Sequence, residues 1–201
     1  MYLSKVLISG AACRNPYEIH RELWQLFQED ESASRDFLFR IEHSDRNNAE
    51  ILMQSIRKPE RSSNTSHILA YKEYVFSLSY GQRLRFLLIA NPIKTINDEA
   101  ERKNKLGETK KCRVPLIREE EQRIWIERKF QTTATFDTLV IDPVFPLRFR
   151  KSREDRIGKI QPVSFKGILK VEGIEEMYEL VKNGIGPAKA FGCGLLSLAR
   201  T

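Results

Sequence analysis

Apolar residues recur along this chain with two periods, and the period changes at turn-forming residues. Leu3, Val6, Leu7 and Ile8 make Tyr2 to Ser9 strand-like, and Gly10 to Asn15 reads as a turn. Asn15, Pro16 and Glu18 then mark a helix start: a capping side chain, a proline at the first helical position, and an acid where a capping-box partner belongs. Ile19, Leu23, Leu26 and Phe27 follow at helical spacing and predict a core face, with the helix ending near Gln28. Phe37 to Glu42 and Glu50 to Ser55 read as strands around a polar turn, His43 to Asn48. Lys58 to Ser66 is polar and reads as a loop or short helix. From Glu73 to Tyr80 the chain alternates, Val75, Ser77 and Ser79 against Tyr74, Phe76, Leu78 and Tyr80, which predicts a half-buried strand.

The second half follows a similar order. Leu84 to Ala90 is an apolar strand ending at Asn91-Pro92. Thr95 to Lys111 is strongly charged, contains Gly107 and predicts a mobile loop. Arg118 to Phe130 predicts a helix with Ile124, Trp125 and Ile126. Thr135 to Phe149 is ambiguous, broken by Pro143 and Pro146. Ile157 to Val171 holds strand-like stretches with a basic edge. Gly173 to Asn183 predicts a helix with Ile174, Met177, Leu180 and Val181 on one face, stopped by Gly184. Gly194 to Ala199 is a last short strand. This predicts an α+β protein of two tandem ferredoxin-like (RRM-like, βαββαβ) domains, residues 1–81 and 82–201, joined near Gly81. Element order alone carries this, since no literal repeat is present.

Composition narrows the class. An apolar share of 41% in 201 residues supports real cores and excludes global disorder. The formal charge of +7 favours an anionic partner, of which nucleic acid is the usual one. Cys13, Cys112 and Cys193 are odd in number and far apart, so a reducing cytoplasm is expected rather than a disulfide framework. No apolar run approaches the roughly 18 residues of a membrane span.

Three histidines exist, His20, His43 and His67, and none has a His or Cys partner at metal-ligand spacing. No metal and no cofactor is expected. His20 differs in context. At about 100° per residue, Tyr17 and His20 lie about 60° apart and one turn from each other on the predicted helix. Trp24 lies between them in direction, a turn further on. A phenol and an imidazole therefore project together beside the core stripe, near a helix N-terminus that attracts phosphate. The same pair also suits plain packing, with one hydrogen bond each. RNA carries its own nucleophile, the 2′-hydroxyl. Imidazole suits acid–base work near neutral pH, a phenol can orient or donate, and a cation can stabilise the extra phosphate charge.

Two further stretches bear on an anionic ligand. Gly184, Gly186, Gly192 and Gly194, with Lys189 among them, could let backbone N–H groups approach phosphates, or could simply turn the chain between its last helix and last strand. A dinucleotide fold fails here, because the segment follows a helix and lacks the P-loop pattern. Arg148, Arg150, Lys151, Arg153, Arg156 and Lys159 form a basic stretch diluted by Glu154 and Asp155. On a hairpin it could track RNA phosphates, and it equally suits a solvated surface. Lys94, Lys110, Lys111 and Arg113 form a second group of the same kind.

Taken in order, several motifs resemble one family along the whole chain. They are the start MYLSKV, Tyr17-x-x-His20-x-x-Leu23-Trp24, Arg35-Asp-Phe-Leu-Phe39, Ala90-Asn-Pro-Ile-Lys-Thr95, Cys112-Arg-Val-Pro-Leu116, Gly158-Lys-Ile160, Gly184-Ile-Gly-Pro-Ala-Lys189 and Gly192-Cys-Gly-Leu-Leu196. The family is CasE, the CRISPR-associated endoribonucleases of the Cascade (type I-E) system. The resemblance implies a substrate, the CRISPR repeat transcript folded as a stem-loop. It implies cutting at the 3′ base of the stem by 2′-hydroxyl attack, leaving a 5′-hydroxyl and a 2′,3′-cyclic phosphate. It also implies retention on the mature crRNA among other Cascade subunits, with no membrane partner. By position, Tyr17 and His20 match the family's catalytic pair and Lys159 its active-site lysine. Arg21, Lys94, Arg113, Arg153, Arg156, Gly186, Lys189, Gly192 and Gly194 are the expected RNA-contacting residues. A catalytically silent RNA-binding subunit is the alternative.

Overall fold

The computed structural model describes residues 1–28, 36–98, 102–103, 106–150 and 157–201. The first sheet is built from β1 (Tyr2–Ser9), β2 (Phe37–Ser44), β3 (Asn48–Ser55) and β4 (Ser66–Glu73), with helix α1 (Pro16–Trp24) between β1 and β2. Its order is β2-β3-β1-β4, antiparallel throughout. Asp45 closes the β2–β3 turn by accepting from the backbone N–H of Asn47 and Asn48. Those two bonds hold its carboxyl below the usual range. Val6, Ile8, Ile51 and Met53 face Ile19 and Leu23 of α1 in the first core.

The second sheet uses β5 (Arg83–Ala90), β8 (Ala134–Pro143), β11 (Val163–Val171) and β12 (Leu196–Arg200) in the order β12-β5-β11-β8. Helices α2 (Glu119–Phe130) and α3 (Ile174–Asn183) complete a second core around Phe86, Leu88, Phe130 and Phe165. Each sheet thus has one strand order when read from its own first strand, and the expectation of tandem ferredoxin-like units holds. Residues 56–65 carry no helix, so a loop stands where the first unit's second helix would lie. Two ribbons are inserted in the second unit: β6 (Ile93–Asn97) with β7 (Lys111–Pro115), and β9 (Leu147–Arg150) with β10 (Ile157–Ile160).

Three expectations change. The alternating segment from Glu73 to Tyr80 is not a strand; the strand is Ser66–Glu73. Tyr74 donates its N–H to Met1, where β1 runs out of partners, and Tyr74, Phe76 and Leu78 then pack on the second core. Alternation there records burial without pairing. The charged stretch from Thr95 to Lys111 is no simple loop, because its ends form the β6–β7 ribbon. The Asp98 carboxylate, held well below the usual range by Arg102, is doubly bonded to that guanidinium. Helix α1 ends at Trp24 rather than near Gln28. Bonds from Gln25, Leu26 and Phe27 to carbonyls three residues back carry the apolar face onward in a tighter turn.

The first unit meets the second along β2. Phe37 to Arg40 are all buried, although successive side chains point to opposite faces of the sheet. One face packs on α1; the other meets the second unit. There Arg40 donates to Ser197 Oγ at 2.8 Å and pairs with Glu42. Gln54 Nε2 donates to the Val181 carbonyl near the end of α3 at 2.7 Å. These contacts place the last glycine-rich loop against α1.

Candidate active site

Helix α1 begins as its sequence dictates. The Asn15 side chain accepts from Tyr17 N–H at 3.1 Å, and Pro16 occupies the first turn. Glu18 does not complete a capping box; its carboxylate takes Arg21 at 3.0 Å instead. Tyr17 and His20 are both half-buried on the flank of α1, with Ile19 and Leu23 fully buried beside them. The His20 ring lies 5.5 Å from Phe37, 6.3 Å from Phe39 and 6.3 Å from Trp24, edge-on to the last. An apolar wall of three rings therefore backs the imidazole.

The glycine-rich loop reaches the same wall. Its 3-10 turn, Lys189–Phe191, packs against α1 and β2. At Gly192, with φ +82°, a Cβ would come 3.3 Å from the Phe39 ring that also faces His20. Gly184, with φ +72°, lies so close to Leu38 that a Cβ would stand 2.8 Å from its methyl. Gly186 faces the Trp125 indole, and Gly194 N–H donates to the Ile89 carbonyl. These glycines are accounted for by close packing of the loop on the protein itself. Lys189 Nζ donates to the Asn183 carbonyl at 2.6 Å and so caps α3. Cys193, within the loop, is fully buried, which pushes its thiol up to about 12.

The third element is the β9–β10 ribbon. β9 packs against α1. Lys159 is exposed on β10, directly opposite the exposed Arg148 on β9. Arg153 and Arg156 lie outside the described residues. The structure therefore gathers α1, the glycine-rich loop and the Lys159 ribbon into one region. Lys94 and Arg113 sit elsewhere, on the β6–β7 ribbon. Lys94 is opposite Val114 and Arg113 opposite Thr95, so the two cations occupy opposite faces. Lys94 also pairs with Glu121 at 2.8 Å. His43 and His67 are exposed on the first sheet. Among the described residues no three His, Cys, Asp or Glu side chains gather as a metal site, and no helix is long and apolar enough to cross a membrane.

Sequence reasoning left out the aromatic parts of the site. Phe37 and Phe39 back His20, and Phe149 of β9 meets Phe191 of the loop at 4.2 Å between centroids.

Two four-stranded sheets of matching order, with a Tyr–His helix where the units meet, define a tandem ferredoxin-like protein. The chain belongs to the CRISPR-associated protein family, whose model matches residues 1–200. It is 43% identical over 205 residues to the CRISPR system Cascade subunit CasE of Escherichia coli strain K12, covering 99% of each chain. The crystal structure of the CRISPR-associated protein Cas6e from the same organism matches with a TM-score of 0.86 and 41% identity over 100% of both chains. The CRISPR endoribonuclease Cse3 bound to a 19 nt RNA matches with a TM-score of 0.78 and 27% identity, over 99% of this chain and 100% of that one.

Proposed function

We propose that this chain is an endoribonuclease that cuts CRISPR precursor RNA at the base of each repeat stem-loop and stays on the product as a Cascade subunit. The observation that carries this reading is the full-length likeness to an endoribonuclease bound to RNA. The likeness to a Cascade subunit supports the retained role.

The chemistry uses the RNA's own nucleophile. The 2′-hydroxyl gives up its proton, its oxygen attacks the adjacent phosphorus, and the bond from phosphorus to the 5′-oxygen breaks. The departing 5′-oxygen takes a proton, leaving a 2′,3′-cyclic phosphate and a 5′-hydroxyl. His20 handles proton transfer as base, acid or both in turn. Tyr17 orients the attacking or leaving oxygen. Lys159 stabilises the phosphorane charge, a task its exposed ammonium can perform without a metal ion. Arg21, Lys189 and the loop holding Gly186, Gly192 and Gly194 border the RNA on the α1 side. Lys94 and Arg113, on opposite faces of the β6–β7 ribbon, each contact phosphate away from the cut, and Arg153 and Arg156 contact the stem.

The test is cleavage of the host's CRISPR repeat RNA in excess EDTA, beside the same RNA made 2′-deoxy just upstream of the cut. Cutting of the normal RNA alone supports the mechanism. Tight binding with no cutting of either makes the chain a silent binding subunit. Equal cutting of both requires an external nucleophile.

A further inference from the structure

The β9–β10 ribbon has two unlike faces. Arg148 and Lys159 form one cross-strand pair, both exposed. Phe149 and Gly158 form the next pair and so lie on the opposite face. The Phe149 ring lies across Gly158, so close that a Cβ placed there would collide with it. The same ring meets Phe191, 4.2 Å between centroids and inclined by 40°. Phe191 ends the 3-10 turn that packs against α1. A continuous chain of packed groups thus runs from Gly158, through Phe149 and Phe191, to the helix bearing Tyr17 and His20.

We infer that Phe149 is a positioning residue for cleavage: stacked on Phe191 over Gly158, it fixes the ribbon so that Lys159, with Arg148 beside it, is presented to the phosphate at Tyr17 and His20. This rests on the role proposed above for Lys159. A two-stranded ribbon is marginal by itself, so something must hold its aim. The Phe149–Phe191 pair joins the ribbon to the loop beside the contact of β9 with α1, and paired rings prefer a defined relative geometry. Gly158 is required because any side chain there would displace the ring. Its φ is not in the left-handed region, so alanine fits the backbone and acts on the ring alone.

The experiment measures single-turnover cleavage of the host's repeat RNA, and the affinity for its 2′-deoxy form, by Phe149→Ala, Gly158→Ala, Lys159→Ala, Phe149→Tyr and the double variant Phe149→Ala/Lys159→Ala. A misplacement near 1 Å costs up to about a hundredfold, so Phe149→Ala and Gly158→Ala are each expected to cut about 10- to 100-fold more slowly. Their affinity, taken well below their melting temperatures, should stay near that of the parent, and Phe149→Tyr should restore most of the rate. In the Lys159→Ala background, removing Phe149 should add less than about threefold, because the group it aims is gone. Losses that multiply in the double variant, or a drop in affinity equal to the drop in rate, would overturn the inference. So would full activity of Phe149→Ala while Lys159→Ala is slow, an outcome that leaves the proposed function standing. Full activity of Lys159→Ala would instead remove the role assigned to Lys159, and the positioning role with it.

Discussion

The imidazole of His20 lies 5.5 Å from the ring of Phe37, centroid to centroid, with the two planes inclined by 34°. Phe37 is itself buried and stacks on Phe27 at 5.6 Å, so its ring is held from behind. A histidine packed on a fixed ring loses rotamers that would carry its nitrogens away from the substrate. Phe37→Leu keeps the site apolar but shortens the support. It should lower single-turnover cleavage about tenfold through misplacement. The cavity should cost on the order of 1–2 kcal/mol of stability. Rates taken well below the melting temperature separate the two effects, and an unchanged rate there would show that the wall does not orient His20.

His20→Ala removes the group proposed for proton transfer and should slow cleavage by about 10²- to 10⁴-fold. Tyr17→Phe keeps the ring and loses only the hydroxyl, so its deficit should be smaller, about tenfold or more. Both variants should hold the 2′-deoxy repeat RNA about as tightly as the parent. Titration of that RNA by gel shift, run beside the cleavage series, decides the matter. A His20→Ala protein that cuts at the parental rate excludes the mechanism.

Strands with clean alternation or long apolar runs were readable because burial and pairing coincide in them. The pattern from Tyr74 to Leu78 misled for the opposite reason: its inward residues meet another unit's core while its backbone has no neighbour strand. Tyr17 and His20 were legible because helical spacing fixes which residues share a flank. Phe37, Phe39 and Phe149 were not, since their role depends on contacts with residues at least 17 positions away in sequence. The glycines near the C-terminus were visible, but whether each meets phosphate, Trp125 or Leu38 is a matter of tertiary packing.

Arg40 gives an asymmetric stability prediction. Its side chain is only 6% exposed, whereas that of its partner Glu42 is 37% exposed. Glu42→Ala leaves a nearly buried guanidinium with Ser197 as a remaining acceptor, which should cost about 2–4 kcal/mol. Arg40→Met fills similar volume with apolar atoms and leaves a carboxylate that water can reach. It should cost less, about 0–2 kcal/mol. Urea denaturation of the two variants ranks them. A larger loss for Arg40→Met would mean that the pair contributes more than its desolvation costs.

Ala188 carries φ +65° at the start of the 3-10 turn beside α1, the one described residue other than glycine with positive φ. That conformation costs an ordinary L-residue about 1–2 kcal/mol. Ala188→Gly relieves the strain but adds freedom to the unfolded chain, so a net gain near 0.5 kcal/mol is expected. Ala188→Val should lose about 2 kcal/mol, because a branched Cβ fits this region poorly. Thermal melts of the pair test the sign of each, and matching melts would mean the turn relaxes to negative φ.

Cys193 ties stability to alkaline pH. Burial pushes its thiol up to about 12 in the folded chain, above the ordinary value near 9. Below that ordinary value both states keep the proton, and the thiol adds no pH dependence. Above it the unfolded chain ionises while the folded chain does not, so the unfolded state gains. Stability therefore falls as pH rises from about 9 towards 12, with a slope approaching about 1.4 kcal/mol per pH unit. Tyrosines and lysines titrate over the same range, so the slope must be taken as the difference between the parent and Cys193→Ala. That variant lowers stability at every pH through its small cavity but lacks the thiol's share of the slope. The thiol should also resist an aromatic disulfide reagent at pH 8 until the chain is unfolded, because its route to solvent is closed by the loop that packs on Phe39. Parallel stability curves for the two proteins above pH 9, or rapid labelling of folded Cys193, would show that the loop opens readily and that its contact with the His20 wall is transient.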